Sequence, residues 1–141
     1  MTSDTTSKHV SVFKQFGTDR NAEENGKWFK FGTEIEVKIR RYKSKHTIAA
    51  QKEMERPYES MRSRGKLPDD VAEKVLMGMI CTSIIADWRG IYGDDDQEIP
   101  YSPEMAYQLM EALPELRDQI VAVSMEMDGF RAKNDEAVTK N

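Results

Sequence analysis

The sequence predicts a mainly α-helical α+β fold, a single domain with a small N-terminal β-hairpin and disordered termini. Three observations carry this. Residues 34–40 alternate polar and apolar with period two. Later segments repeat apolar residues at threes and fours and open on proline-marked starts. Both ends are polar. The 141 residues suffice for one domain. It is placed at 16–133, between a flexible N-terminal segment, 1–15, and a flexible tail, 134–141.

The elements follow in order. Residues 1–9 are rich in Ser, Thr and Asp and read as disordered. Val10, Val12, Phe13 and Phe16 form a short apolar cluster closed by Gly17, expected to dock on the core. Residues 18–26 read as a polar loop or a helical turn ending at Gly26. Trp28, Phe29 and Phe31 then precede Gly32, and Ile35, Val37 and Ile39 share one face of a strand. Gly32 supplies the turn of a hairpin over 27–41. From Thr47 to Arg64 the pattern is helical, split at Pro57 and ended by Gly65. Leu67-Pro68-Asp69-Asp70 starts the most apolar helix, with Val71, Val75, Met79, Ile80, Ile84 and Trp88 on its buried side. That helix is expected to run to Trp88 and to form the centre of the core. Ser102-Pro103-Glu104 is a helix start with a Ser cap and Pro in the first turn. Pro114 begins a last helix expected to reach Lys133. Its residues Leu116, Ile120, Val123, Met127 and Phe130 are spaced four, three, four, three, a heptad-like seam.

Composition narrows the functional classes. The chain is 38% hydrophobic and 33% charged, with nine Met against five Leu. No run of 18 apolar residues offers a membrane span, and the N-terminus lacks the pattern of a secretory signal. The single cysteine, Cys81, cannot form an internal disulfide, so a reducing cytoplasm is expected. The net charge of −4 divides into +6 over residues 1–66 and −10 over 67–141. A basic half can meet an acidic partner, nucleic acid included. The basic residues do not gather into one stripe, however, so mutual attraction of the halves or simple solvation is the expectation.

Catalytic chemistry finds little support, and no enzyme activity or cofactor is expected. His9 and His46 have no spaced partners for a triad or a metal cage. Cys81 reads as a buried small hydrophobe. The acidic run Asp94-Asp95-Asp96-Gln97-Glu98 lacks the spacing of a calcium loop and reads as a solvated turn. Lys38, Arg40, Arg41, Lys43 and Lys45, with Tyr42 interleaved, could follow a phosphate backbone, but no base-reading motif accompanies them. Met105, Met110, Met125 and Met127 fall in the last two helices. They read either as core filler or as an adaptable surface for variable partners.

Several short motifs also carry a family resemblance. Thr18-Asp19 leads an acidic stretch to Glu24, Gly26-Lys27-Trp28 opens the hairpin, and Arg56-Pro57-Tyr58 lies in the basic helix. Asp87-Trp88-Arg89-Gly90 closes the apolar helix, Ile99 to Glu104 reads IPYSPE, Leu113 to Leu116 reads LPEL, and Gly129-Phe130-Arg131 follows. In this order, over residues 16–141, the chain resembles the tail assembly chaperones of long-tailed bacteriophages. The resemblance implies a non-catalytic protein of the host bacterial cytoplasm. Such a protein coats the helical tape measure protein, keeps it soluble, helps recruit tail tube subunits and is absent from the mature virion. It also implies, for many such genes, a longer frameshifted product. Tape measure and tail tube proteins are therefore the expected partners, with self-association open, no membrane contact and nucleic acid disfavoured. Leu116, Ile120, Val123, Met127 and Phe130 are the expected partner-binding residues; no catalytic, cofactor or metal residue is expected. The alternatives are a minor structural protein retained in the particle and a small nucleic-acid-binding regulator.

Overall fold

The period-two segment forms strand β2, Ile35–Ile39, which pairs antiparallel with β1, Lys27–Phe31. Between them Gly32 adopts φ +75°, a left-handed conformation open to a residue without Cβ. Val37 and Ile39 point into the core and are fully buried, while Glu36 and Lys38 stay partly exposed. The computed structural model describes residues 8–132. Within them the fold is the expected helical α+β type.

Helices α1, Val12–Phe16, and α2, Arg20–Asn25, precede the hairpin. The carboxylate of Asp19 accepts from the Ala22 amide and caps α2. After the hairpin comes α3, Lys45–Glu55, capped by Ser44, whose hydroxyl accepts from the Thr47 amide. Pro57 interrupts the helical path as expected: a 3-10 turn, Arg56–Tyr58, separates α3 from α4, Glu59–Ser63. Helix α5, Asp69–Met79, begins after Pro68 with two aspartates in its first turn, where the helix dipole favours them. Ser102 caps α6, Pro103–Ala112, and α7, Pro114–Met125, follows at once.

Three expectations are corrected. The apolar helix does not run to Trp88. It stops at Met79, widens into one turn of π-helix, Ile80–Ile84, and becomes strand β3, Ile85–Arg89. β3 pairs antiparallel with β2 and completes a sheet of order β1-β2-β3. Lys38 faces Asp87 and Ile39 faces Ile85, so Ala86 is the extra residue of a bulge. The bulge lets Ile85 and Trp88, three apart in sequence, both be buried in one strand, a spacing that imitates a helix.

The last helix, likewise, does not reach Lys133. It ends at Met125, and Asp128–Phe130 form a separate 3-10 turn. Gly129 lies so close to Phe29 that an added Cβ would stand 2.9 Å from its ring. Phe130 is fully buried and packs on Phe29 at 5.4 Å between ring centroids. The chain end is tied back by the Thr18–Arg131 bridge and by Ala132 N donating to Gly17 O.

The third correction concerns the N-terminal apolar cluster, which does not dock on the core. Val12, Phe13 and Phe16 are 60, 83 and 63% exposed, on a helix without a buried residue. Residues 1–7 and the tail assigned to 134–141 lie outside the described residues.

The main core fills the space between sheet and helices: Val37 and Ile39 from β2, Ile80, Cys81 and Ile84 from the π turn, Met110 from α6, Ile120 from α7, and Phe130. A smaller cluster of Val71, Val75 and Met79 gathers Tyr42, Met54, Tyr58 and Leu67 beneath α3 and α5.

Candidate functional site

A helix that turns into a strand inside a core frees carbonyl groups that need new donors. In this chain the donors come from three directions. Arg40 N donates to Ile84 O at 2.8 Å, the Arg40 guanidinium to Ser83 O at 2.8 Å, and the Tyr101 hydroxyl to Cys81 O at 2.6 Å. The Arg40 guanidinium also donates to Glu24 O. Arg41 pairs with Glu23 at 3.3 Å and lies over the Phe130 ring. Arg40 and Arg41 thus serve the fold, and the basic run that could have followed a phosphate backbone is not one continuous free stripe.

The Ser83 side chain, fully buried, meets Thr47 Oγ1 at 2.8 Å and His46 Nδ1 at 2.7 Å; Ser44 Oγ meets Thr47 Oγ1 at 3.1 Å. With His46 neutral and its proton on Nε2, each hydroxyl donates to the next and Nδ1 accepts at the end of the chain. Burial, and next the Arg40 charge, lower the pKa of His46 and favour that neutral form. Glu24 accepts from the Lys45 and His46 amides, and the Lys45 amide foremost holds its carboxyl below the ordinary range. Serine, histidine and glutamate therefore meet here, but the serine is sealed from solvent and the glutamate binds backbone. The cluster locks α3 onto the π turn. Cys81 is fully buried, as expected, with its thiol pKa pushed up by burial to about 12.

The motifs DWRG and IPYSPE form one structural unit. Trp88 Nε1 donates to Ile99 O at 2.7 Å, and its ring meets Tyr101 edge-on at 5.2 Å. Arg89 stacks 3.9 Å over the Trp28 ring and pairs with Glu36. Gly90 has φ +76°. The acidic run folds as a turn closed by the Tyr92–Glu98 bridge, with Asp95 accepting from the Gln97 amide and Glu98 from the Gly90 amide. Among the described residues no group of three His, Cys, Asp or Glu is placed to hold a metal ion.

The surface feature that stands out is a cleft of ≈ 990 Å³ between α5, α6 and α7. Leu76 and Met77 of α5, Tyr107 of α6, and Val121 and Met125 of α7 line it, with Ile80 at its floor. Met125 is 49% and Tyr107 40% exposed. Glu73, Glu111 and Asp118 stand at its edge against Lys74 and Arg117. Behind it, Gly78 leaves room for Met54 and Tyr107: an added Cβ would lie 2.5 Å from Met54 Sδ and 3.2 Å from the Tyr107 hydroxyl.

The structure separates the residues expected to bind a partner from this cleft. Ile120 and Phe130 are fully buried, and Leu116 and Val123 pack against the core. Met127 and Phe130 lie beyond the end of α7, so the five residues do not form one helical seam. The stripe of α7 that lines the cleft is offset by one position, through Val121, itself packed partly on the core, and the half-exposed Met125. Its i, i+4 spacing was visible in the sequence but overshadowed by the longer seam beside it. The methionines divide in the same way: Met79 and Met110 are core, whereas Met77 and Met125 line the cleft.

No helix among the described residues is long and apolar enough to cross a membrane. A family model described as YdaY prophage protein matches residues 42–141, a span that includes all three helices of the cleft. No curated protein and no solved structure matches the chain.

Proposed function

The chain belongs to the YdaY prophage protein family and is phage-derived; from that premise we propose that it is a tail assembly chaperone, acting by binding rather than catalysis. The observation that supports this reading is the cleft between α5, α6 and α7. It is apolar at its base, flanked by flexible methionines and edged by charge, the chemistry that receives one face of an amphipathic helix. A tape measure protein is long and helical and exposes such faces before the tail tube closes around it. Held in the cleft, a helical segment would keep its apolar stripe from other copies while the acidic half of the chaperone keeps the complex in solution. Release to the tube subunits would leave the chaperone in the host cytoplasm and out of the particle.

Co-expression is the test. The tape measure protein of the same phage should become soluble and co-purify with this chain. Met125→Glu, at a half-exposed position in the cleft, should weaken that capture by about tenfold or more without unfolding the chaperone. Unchanged client solubility and no co-purification would refute the reading. Mass spectrometry of purified particles separates the minor-structural-protein alternative: abundant copies in the virion would favour it over a chaperone.

A further inference from the structure

We propose that the cleft is also occupied by a second copy of this chain, through helix α1. The helix presents Val12, Phe13 and Phe16 on one side, at spacings of three and four, and none is buried in its own molecule. Two exposed phenylalanines on one helical turn are a costly surface unless something covers them. The cleft is the counterpart: apolar, ≈ 990 Å³ in volume, and framed by methionines that adjust to the shape of an inserted ring.

Charge matches the two parts. Residues 8–16 contain Lys8 and Lys14 and no acidic side chain. The cleft edge has an acidic surplus, with Glu73, Glu111 and Asp118 against Lys74 and Arg117.

The tether of α1 decides between its own cleft and another's. The Arg131 guanidinium donates to Gln15 O at 2.6 Å, Gly17 O accepts from Ala132 N at 3.0 Å, and Asp19 N donates to Phe130 O at 2.7 Å. These bonds pin both sides of Phe16 to the 130–132 segment and hold α1 outside its own cleft. A second molecule can receive it without breaking them. Reciprocal exchange then gives a closed two-fold dimer with both apolar helices and both clefts covered. The dimer takes the cleft of the proposed function as its receptor, so a client helix would have to displace α1 to enter. It does not depend on what the client is.

Sedimentation velocity on the full chain tests this through complementation. The wild type should dimerise in the micromolar range. Phe13→Asp/Phe16→Asp removes the knob at exposed positions, and Met125→Glu spoils the hole; each variant alone should associate about tenfold or more weakly. Mixed one to one, they should form a heterodimer, because the intact α1 of the second fits the intact cleft of the first. Circular dichroism reports whether each variant is folded. A monomeric wild type, undiminished dimerisation of the Phe13/Phe16 variant, or failure of the mixture to associate would each overturn the proposal. Client capture by the Phe13/Phe16 variant reads the chaperone function separately, since its cleft is intact.

Discussion

At the scale of single residues, Gly90 shows how one atom can decide a junction. Its φ of +76° lies in the left-handed region, and an added Cβ would stand 2.1 Å from the Glu34 carbonyl oxygen. The atoms it would meet are the Glu34–Ile35 backbone, which has no flexible end to move aside. Gly90→Ala should therefore destabilise the fold by at least about 2 kcal/mol, measured by urea unfolding. Gly32, at φ +75°, has open space around it, and its substitution should cost less because only the backbone preference is lost. The glycine at the end of DWRG is thus a requirement of packing, as Trp88 and Arg89 are through their bonds to Ile99 and Glu36. The resemblance rested heavily on this motif, and its residues explain themselves structurally.

Between elements, the contact that joins α3 to the π turn is the one sensitive to pH. His46 faces Ser83 from the first turn of α3, with the Arg40 guanidinium and the Glu24 carboxylate beside it. In the unfolded chain it takes a proton near its ordinary value of about 6.5, whereas in the fold it does so only at lower pH. Between those two values the unfolded state binds more protons, so stability falls as pH drops below about 6.5. Urea unfolding at neutral and mildly acidic pH should reveal this step, and His46→Gln should remove it while leaving the carboxylate-dependent loss at lower pH. A pH profile identical in the variant would show that His46 has no part in it. Glu24 works in the same sense but further down: its carboxyl pKa is lowered too, so the stability it contributes is lost as pH falls through the more acidic range.

Across the whole molecule, the two sides of α7 have different tasks. Ile120 is fully buried between sheet and helices, and a charge there would have no partner. Ile120→Asp should unfold the protein or cost about 4 kcal/mol or more. Met125→Glu, one turn on and half exposed, should leave the thermal midpoint within a few degrees of wild type. Equal losses in both variants would mean that the cleft wall is part of the core. The expectation that Ile120 and Val123 meet a partner is thereby turned into a contrast between a core face and a cleft face on one helix.

The hairpin, the proline-split helix and the Ser102 cap were legible because each depends on neighbours in sequence: a period of two, a missing amide proton, a hydroxyl three residues from its partner. The end of α5 was not. Ile80, Ile84 and Trp88 recur at four, as on a helix, and the bulge at Ala86 keeps Ile85 and Trp88 three apart in the strand. Which reading wins depends on β2, whose free edge needs a partner, and on Arg40 and Tyr101, which satisfy the carbonyls that the helix gives up. The seam from Leu116 to Phe130 is not one helix for a related reason: its spacing carries on past Glu126, where the backbone turns extended, and Phe130 then packs on Phe29 from far along the chain. The sequence alone determined the fold class, the apolar helices and the absence of a spaced catalytic motif. Only the tertiary structure decided which stripe is covered and which lines the cleft, because burial is a property of what packs against a helix and not of the helix itself.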